Sequence, residues 1–434
     1  MNNFKKEITL NLFTFGSNRY LSFQEAEKIS EELFRVTSAF FDKNGVKTRK
    51  ALVFDEEDSK KLFVKNDKNL EPAIFFPLSG GSQTLMLHAY NYYDVLGFGV
   101  TYTDFFIDKY YSDICLYNNA APALMDTFAV IKREKNYVKI ITDLNDTLPI
   151  IKAKTAIERL RNSTLLRIGE IEPWVISSSK KFDLIKNNFD INVISIPQVE
   201  LEEEYKNISE ENIYSEDWLN SSDKLIEVSD IDVIEASKLT IAIKNLINKY
   251  YADGVCISCF NLLKKINMTA CLSLSIFNDD ELLIGGCEGD IDTAITLMIM
   301  KALSGKPGWI ANPMIEKNNM IRLSHCTAPR YEKKYKYELL KHHESGIGVS
   351  PRVYMPISEI VTLSRIGNDF SKFHYFTGIT QNYNFKNTCR TQALVQIDNF
   401  DEYIKNVLGC HLVLTFGNYS RELKYFAQML HIDY

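Results

Sequence analysis

The run Ala73-Ile74-Phe75-Phe76-Pro77 is apolar at every position and stops at Ser79-Gly80-Gly81-Ser82. Behind that turn Leu85, Leu87, Ala89 and Tyr90 resume as a helical pattern. A strand with no polar face has to be covered on both sides, and a helix directly after it supplies one of the covers. This predicts a buried parallel strand in an α/β layer structure. The flanking segments agree. Ile8–Thr14 reads as a strand, Phe23–Phe41 as a long amphipathic helix and Ala51–Phe54 as a short strand, while Asn118-Asn119-Ala120-Ala121-Pro122-Ala123 opens a further helix. Backbone amides of the Gly-Gly turn are placed to hold a polar ligand group, or simply make a tight strand-to-helix connection.

A second α/β stretch begins near residue 150. Ser163–Ile168 reads as a strand, Lys180–Asn188 as a helix and Asn192–Ile196 as the next strand, with no GxGxxG to support a nucleotide. Residues 198–222, with Glu200-Leu201-Glu202-Glu203-Glu204, read as a solvated helix and linker. Asp230–Tyr250 follows as a long helix, then Val255–Cys259 and Ala270–Phe277 as strands. Beyond residue 303 the pattern changes to short strands: Arg322–Ser324, Gly348–Tyr354, Glu359–Ile366, Phe373–Ile379, Thr391–Ile397 and His411–Phe416, with Ser420–Leu430 as a closing helix. The expected organisation is therefore two Rossmann-like α/β domains, 1–149 and 150–302, and a β-rich, barrel-like domain, 303–434.

Chemistry concentrates in Gly285-Gly286-Cys287-Glu288-Gly289-Asp290. Apolar residues at helical spacing follow, from Ile291 to Ala302, with Gly305 and Pro307 as stops. Glu288 then lies in a strand-to-helix turn, where α/β folds commonly place their chemistry. An acidic pair there binds a metal, acts as a base or caps the helix. For Asp290, three residues before Thr293, the cap is the favoured reading, and for Glu288 the chemical one.

Eight cysteines, at 115, 256, 259, 271, 287, 326, 389 and 410, read as reduced, buried small residues. Cys256 and Cys259 have the spacing of half a zinc site, yet no second pair follows at finger-like distance. Redox chemistry at that pair is disfavoured by the expectation of a strand end without a helix. His342, His343 and His431 read as solvated. A net charge of −6 with scattered Lys and Arg gives no reason to expect nucleic acid. No apolar run reaches membrane-spanning length, and Met1-Asn2-Asn3-Phe4-Lys5-Lys6 lacks a signal-peptide core. A cytoplasmic protein with no membrane partner is expected.

Four places carry a resemblance to the L-fucose isomerase / L-arabinose isomerase family: Cys287-Glu288-Gly289-Asp290, Trp309-Ile310-Ala311-Asn312, Ser324-His325-Cys326, and Gly409-Cys410-His411-Leu412 with Phe416-Gly417-Asn418. Their order, together with two α/β domains and a β-rich third, is similar to that family over most of the chain. The resemblance implies a metal-dependent aldose–ketose isomerase acting on a deoxy-sugar, pentose or related monosaccharide. Glu288, Asn312 and His411 would bind a divalent metal, Mn²⁺ first, with Glu288 also the acid/base and His325 orienting a sugar hydroxyl or moving a proton. It also implies a homo-trimer or homo-hexamer. One position departs: the family's second carboxylate ligand is here Asn312, a neutral amide that weakens a site for a hard ion. The alternative is a catalytically weak or inactive sugar-binding or structural relative.

Overall fold

A computed structural model describes residues 3–63, 70–208 and 213–434. The segment 209–212 within the acidic run lies outside the described residues, as do Met1 and Asn2. The chain divides into two compact units, one of Lys6–Glu158 and one of Arg159–Tyr434 together with the first few residues.

The first unit is a five-stranded sheet in the order Lys47–Val53, Thr9–Phe15, Glu71–Pro77, Tyr93–Gly99, Lys139–Ile141. Every pairing is parallel. Parallel strands require crossovers, and the helices Phe23–Lys43, Glu56–Leu62, Gln83–Tyr90, Lys109–Tyr117 and Ala120–Glu134 provide them. The central strand is the one legible from its unbroken apolar run: positions 72–77 are all buried. Phe13, Phe15, Phe75 and Phe98 meet edge-on or tilted in its core. Gly99 is demanded by that packing, because a Cβ there would sit 2.1 Å from the Phe76 ring. Asp94 is buried in this unit. Its carboxylate takes Lys135 at 2.7 Å, Lys154 at 2.8 Å and the Tyr137 hydroxyl at 2.6 Å.

Among the described residues the second unit holds three β structures. One is a parallel sheet in the order Gly285–Gly286, Gly254–Ile257, Thr164–Ile168, Asn192–Ile196. A small sheet joins Ser350–Val353, Tyr337–Leu340 and Lys224–Leu225. The third is a closed, six-stranded antiparallel barrel: Gly308–Glu316, Met320–His325, Thr391–Ile397, Lys372–Gln381, Ile360–Gly367 and Leu412–Phe416. The mixed α/β organisation with a C-terminal barrel is thus as expected. Helix Ile291–Ser304 is buried on every face from Ile291 to Leu303. A helix apolar all round needs cover on all sides. It has it, packing on the sheet strands Gly254–Ile257 and Gly285–Gly286 and on the barrel strands Gly308–Glu316, Ile360–Gly367 and Leu412–Phe416. Each buried Ile or Leu along it contributes about 2 kcal/mol, so this helix anchors its own N-terminal turn firmly.

Four expectations fail. Ala270–Phe277 is not a strand: Cys271–Asp279 is a helix. Leu272, Leu274 and Ile276 alternate with Ser273 and Ser275, which mimics a strand, but both serines are interior and satisfied, by Thr240 Oγ1 at 2.9 Å and the Ala328 carbonyl at 2.6 Å. Cys259 is not at a helix-free strand end, because it is the first residue of the helix Cys259–Ile266. His342 is buried, with Nδ1 3.0 Å from Ser345 Oγ, and not solvated. Among the cysteines only Cys410 is exposed. Among the described residues no helix is long and apolar enough to cross a membrane.

Candidate functional site

The turn after Gly285–Gly286 is built around two residues with positive φ, Glu288 at 57° and Gly289 at 66°. Glycine is required at 289, since a Cβ would lie 2.7 Å from the Glu170 carbonyl oxygen and 2.8 Å from Ile171 Cα. For Glu288 the left-handed conformation is strained, and such strain in a non-glycine residue concentrates at functional sites. The turn is pinned: Gly289 N–H donates to the Ile257 carbonyl at 2.9 Å, and the Glu288 carbonyl accepts from Glu172 N–H at 3.1 Å.

This backbone aims the Glu288 carboxylate at the end of the barrel. Ala311 pairs with Leu412, and Asn312 pairs with Ser324. Continuing these ladders by one residue brings His411 opposite Asn312 and His325 opposite Ala311. Three neighbouring strands therefore deliver Asn312, His325 and His411 to one rim. Glu288 Oε1 lies 3.6 Å from His411 Nε2 and 3.7 Å from His325 Nε2, and the two rings stand 5.5 Å apart at 77°. The other oxygen, Oε2, accepts from the Trp174 indole N–H at 2.7 Å. Half-buried Asn312 lines the same space.

Each imidazole is fixed by its second nitrogen. His325 Nδ1 lies 3.0 Å from Thr327 Oγ1. His411 Nδ1 lies 2.8 Å from Asp290 Oδ2, which also takes Arg365 Nη1 at 2.8 Å. Arg365 and Asp290 are wholly buried. Asp290 has a further duty, since its Oδ1 accepts from Thr293 N–H at 3.3 Å and caps the buried helix. Asp292 stands 3.9 Å from Arg365 and accepts from Ser179 N–H at 2.9 Å.

Burial opposes ionisation at every one of these groups, and their partners decide the outcome. Burial pushes Glu288 up, but the facing His325 and His411 hold its carboxyl far below the usual range. Burial likewise acts on Asp290, and Arg365 with His411 overrides it downward. Asp292 goes the other way: burial outweighs Arg365, adjacent Asp290 adds to it, and the carboxyl rises to about 7. Burial lowers His411, yet hydrogen bonds to Asp290, Cys410 and Glu288 carry it well above an ordinary histidine. The set is balanced in charge, with Glu288 and Asp290 negative against Arg365 and His411 positive.

Donor chemistry fits a divalent ion. Ions of this class take nitrogen and oxygen donors at about 2.1 Å, which puts donors roughly 3.0–3.6 Å apart. The His411 separation, 3.6 Å, falls at the upper end of that span, and the His325 separation, 3.7 Å, lies just beyond it. A histidine ligand normally gives its second nitrogen to a carboxylate or similar acceptor, as His411 does to Asp290. Among the described residues two groups bring three donor atoms within 4.8 Å of one another: Cys287, Glu288 and His325, and Asp290, Cys410 and His411. Glu288 Oε1 joins them. Cys287 stays a thiol, since its hydrogen bond with Cys259 and its burial both raise it well above the ordinary value. That leaves Glu288, His325 and His411 as side chains that could hold an ion, with Asn312 lining both cavities beside them.

A cleft of about 530 Å³ opens over the cluster, lined by Trp174, Phe260, Lys264, Glu288, Asn312 and His411 among others. A second, much narrower cavity of about 30 Å³ shares Phe260, Glu288, Asn312 and Glu344 with it and reaches inward past His325. The four residues singled out from the sequence line these two cavities, Glu288 and Asn312 both of them, His411 the cleft and His325 the inner one. Sequence reading missed Arg365 and Trp174. Arg365 left a signal: it shares the buried face of its strand with Val361 and Leu363, where an arginine requires a buried partner. Trp174 left none, because it stands in an irregular loop. No protein-family model matches this chain, and no curated protein matches it.

Proposed function

We propose that the chain is a divalent-metal-dependent aldose–ketose isomerase with a fucose isomerase-like arrangement of sheet turn and barrel rim. The observation that carries the reading is the convergence of His325 and His411 Nε2 on one oxygen of Glu288, each ring locked through Nδ1. Glu288, His325 and His411 would hold the ion, Mn²⁺ first. When bound, it supplies Lewis-acid polarisation of a substrate carbonyl. The cleft is wide enough for a monosaccharide and offers Asn312, Lys264, Glu344 and the Trp174 and Phe260 faces to hydroxyls and ring carbons. Glu288 takes the carbon-bound proton and returns it to the adjacent carbon, its position fixed by Trp174. Asp290 keeps the His411 proton on Nδ1 so that Nε2 points its lone pair into the site. The working form is a homo-trimer or homo-hexamer in the cytoplasm.

One observation favours the second reading, a sugar-binding relative with little or no turnover: Asn312 puts a neutral amide where the resembled family has a carboxylate. Metal analysis and NMR of aldose mixtures separate the two. The expected result is about one ion per chain after Mn²⁺ loading, aldose–ketose interconversion, and loss of turnover with retained fold in Glu288→Gln. Metal bound without any interconversion supports the second reading. No metal at all, or full activity in Glu288→Gln, overturns the first.

A further inference from the structure

The inner cavity is lined by five cysteine thiols, Cys259, Cys271, Cys287, Cys326 and Cys389, beside Glu288 and His325. Two of them are in contact: Cys259 Sγ lies 3.1 Å from Cys287 Sγ. Cys259 S–H is directed to the Ile257 carbonyl at 3.4 Å, so the Cys287 S–H is the one that points at Cys259 sulfur. Cys259 begins a helix and Cys287 precedes Glu288, and both buried thiols line the narrow cavity that shares Phe260, Glu288, Asn312 and Glu344 with the open cleft. From this geometry we infer that Cys259 and Cys287 are a modification site, a dithiol that hydrogen peroxide converts reversibly to a disulfide, and that the disulfide shuts down the Glu288 centre.

The chemistry balances without further reagents. Cys259 sulfur attacks one peroxide oxygen, the O–O bond breaks, and the departing hydroxide leaves as water with the Cys259 proton. Cys287 sulfur then attacks the resulting sulfenic acid. The S–S bond forms, the S–O bond breaks, and the second water carries off the Cys287 proton. Two thiols lose two electrons and one peroxide becomes two waters. A small dithiol reverses the step by thiol–disulfide exchange.

Closing 3.1 Å to the bonded separation of about 2.05 Å moves the sulfurs together by about 1 Å. The turn has little slack to absorb this. Ile257, two residues before Cys259, holds the Gly289 N–H, and Glu288 and Gly289 already sit at positive φ. The displacement therefore passes to the Glu288 carboxylate, whose use depends on lying between two fixed imidazoles. A shift of about 1 Å at such a centre is worth on the order of 100-fold. Formation of the disulfide is independent of the proposed isomerase function, while its effect on the centre rests on that reading.

The test treats the full chain with stoichiometric hydrogen peroxide and reads intact mass and disulfide-linked peptides, then Mn²⁺ affinity. A loss of two hydrogens with a Cys259–Cys287 cross-link, and at least tenfold weaker Mn²⁺ binding restored by dithiothreitol, is the expected result. Cys259→Ser should bind Mn²⁺ normally and lose the peroxide sensitivity; Cys259→Ala serves where the serine variant does not fold. Cross-links elsewhere, such as Cys326–Cys389, or over-oxidation of single thiols overturn the assignment. A Cys259–Cys287 bond with unchanged Mn²⁺ affinity overturns the shut-down. Reduced protein that binds no Mn²⁺ refutes the metal reading and the shut-down that rests on it, and leaves the dithiol to be decided by mass alone.

Discussion

Asp290→Asn changes one atom and probes the whole centre. The native carboxylate takes four contacts: His411 Nδ1 and Arg365 Nη1 on Oδ2, Thr293 N–H and Arg365 Nη2 on Oδ1. An amide must turn its NH₂ toward one of these pairs, so two contacts become donor against donor. Arg365 keeps its charge, fully buried, and loses its ionised partner. Breaking a buried pair from one side costs about 3–5 kcal/mol. Asp292, relieved of its charged neighbour and 3.9 Å from Arg365, then ionises more readily and offsets part of the loss. About 3 kcal/mol of destabilisation is expected in denaturant titrations. Metal affinity should fall about 10–100-fold, the usual cost of removing a carboxylate behind a histidine ligand. Proton competition works against this effect, because His411 without Asp290 gives up its proton more easily. The loss is therefore largest at about pH 8 and smaller near pH 6, where relief from the proton matters more. Calorimetric titration with Mn²⁺ at both pH values measures it. Affinity within twofold of wild type at about pH 8, in protein with native circular dichroism, would refute the orienting role of Asp290.

Mn²⁺ binding should release close to one proton near neutrality, since His411 is held protonated well above the ordinary range; calorimetry in buffers of different ionisation enthalpy counts it, and zero release removes His411 from the ligand set. Asn312→Asp should tighten Mn²⁺ binding by about tenfold or more, and unchanged affinity would separate residue 312 from the ion. Asp94, pulled down to about 2 by Lys154 and Lys135 against its burial, stabilises the first unit by about 2 kcal/mol above its unfolded pKa of 3.8. Because the unfolded chain takes up the proton first, that contribution fades as pH falls from about 4 through about 2. Asp94→Asn should flatten this part of the urea stability profile, and an unaltered acid limb counts against the pairing. Light scattering should return three or six copies of the chain, and a monomer refutes the oligomer.

The fold was legible where burial and period agree. Residues 73–77 are buried on both faces and carry no polar group, so the parallel strand follows from the run alone. Five of the barrel strands could be read individually, but not Gly308–Glu316, while Gly348–Tyr354 fell in the small sheet. Their order was not legible either, since Met320–His325 pairs with Thr391–Ile397, some seventy residues on, and nothing local encodes that partner. Helix Cys271–Asp279 was misread because a period of two came from serines that find hydrogen bonds inside the core. At the site, residue types were informative and distances were not. His325 could have oriented a hydroxyl, yet it stands as close to Glu288 as His411 does, which makes it equivalent as a donor. The thiol pair was hidden for the same reason: Cys259 meets Cys287, 28 positions away, rather than Cys256 with which it shares a motif.

Asp290 shows why a local motif admits two readings that need not compete. Read along the chain, it is an N-cap, and its Oδ1 performs that role for Thr293. Across the fold, Oδ2 holds His411 and Arg365. The helix it caps is buried on every face, so the cap has no access to water and must be satisfied completely. That requirement brings in Arg365 from the barrel, and Arg365 in turn donates to the His411 carbonyl at 3.1 Å. A capping problem created by burial is thus solved by the same side chains that set the imidazole in place. It follows that mutations at Asp290 or Arg365 should lower stability and metal affinity together, whereas Trp174→Phe, which removes only the hydrogen bond to the Glu288 side chain, should alter the centre and leave the fold's stability nearly unchanged.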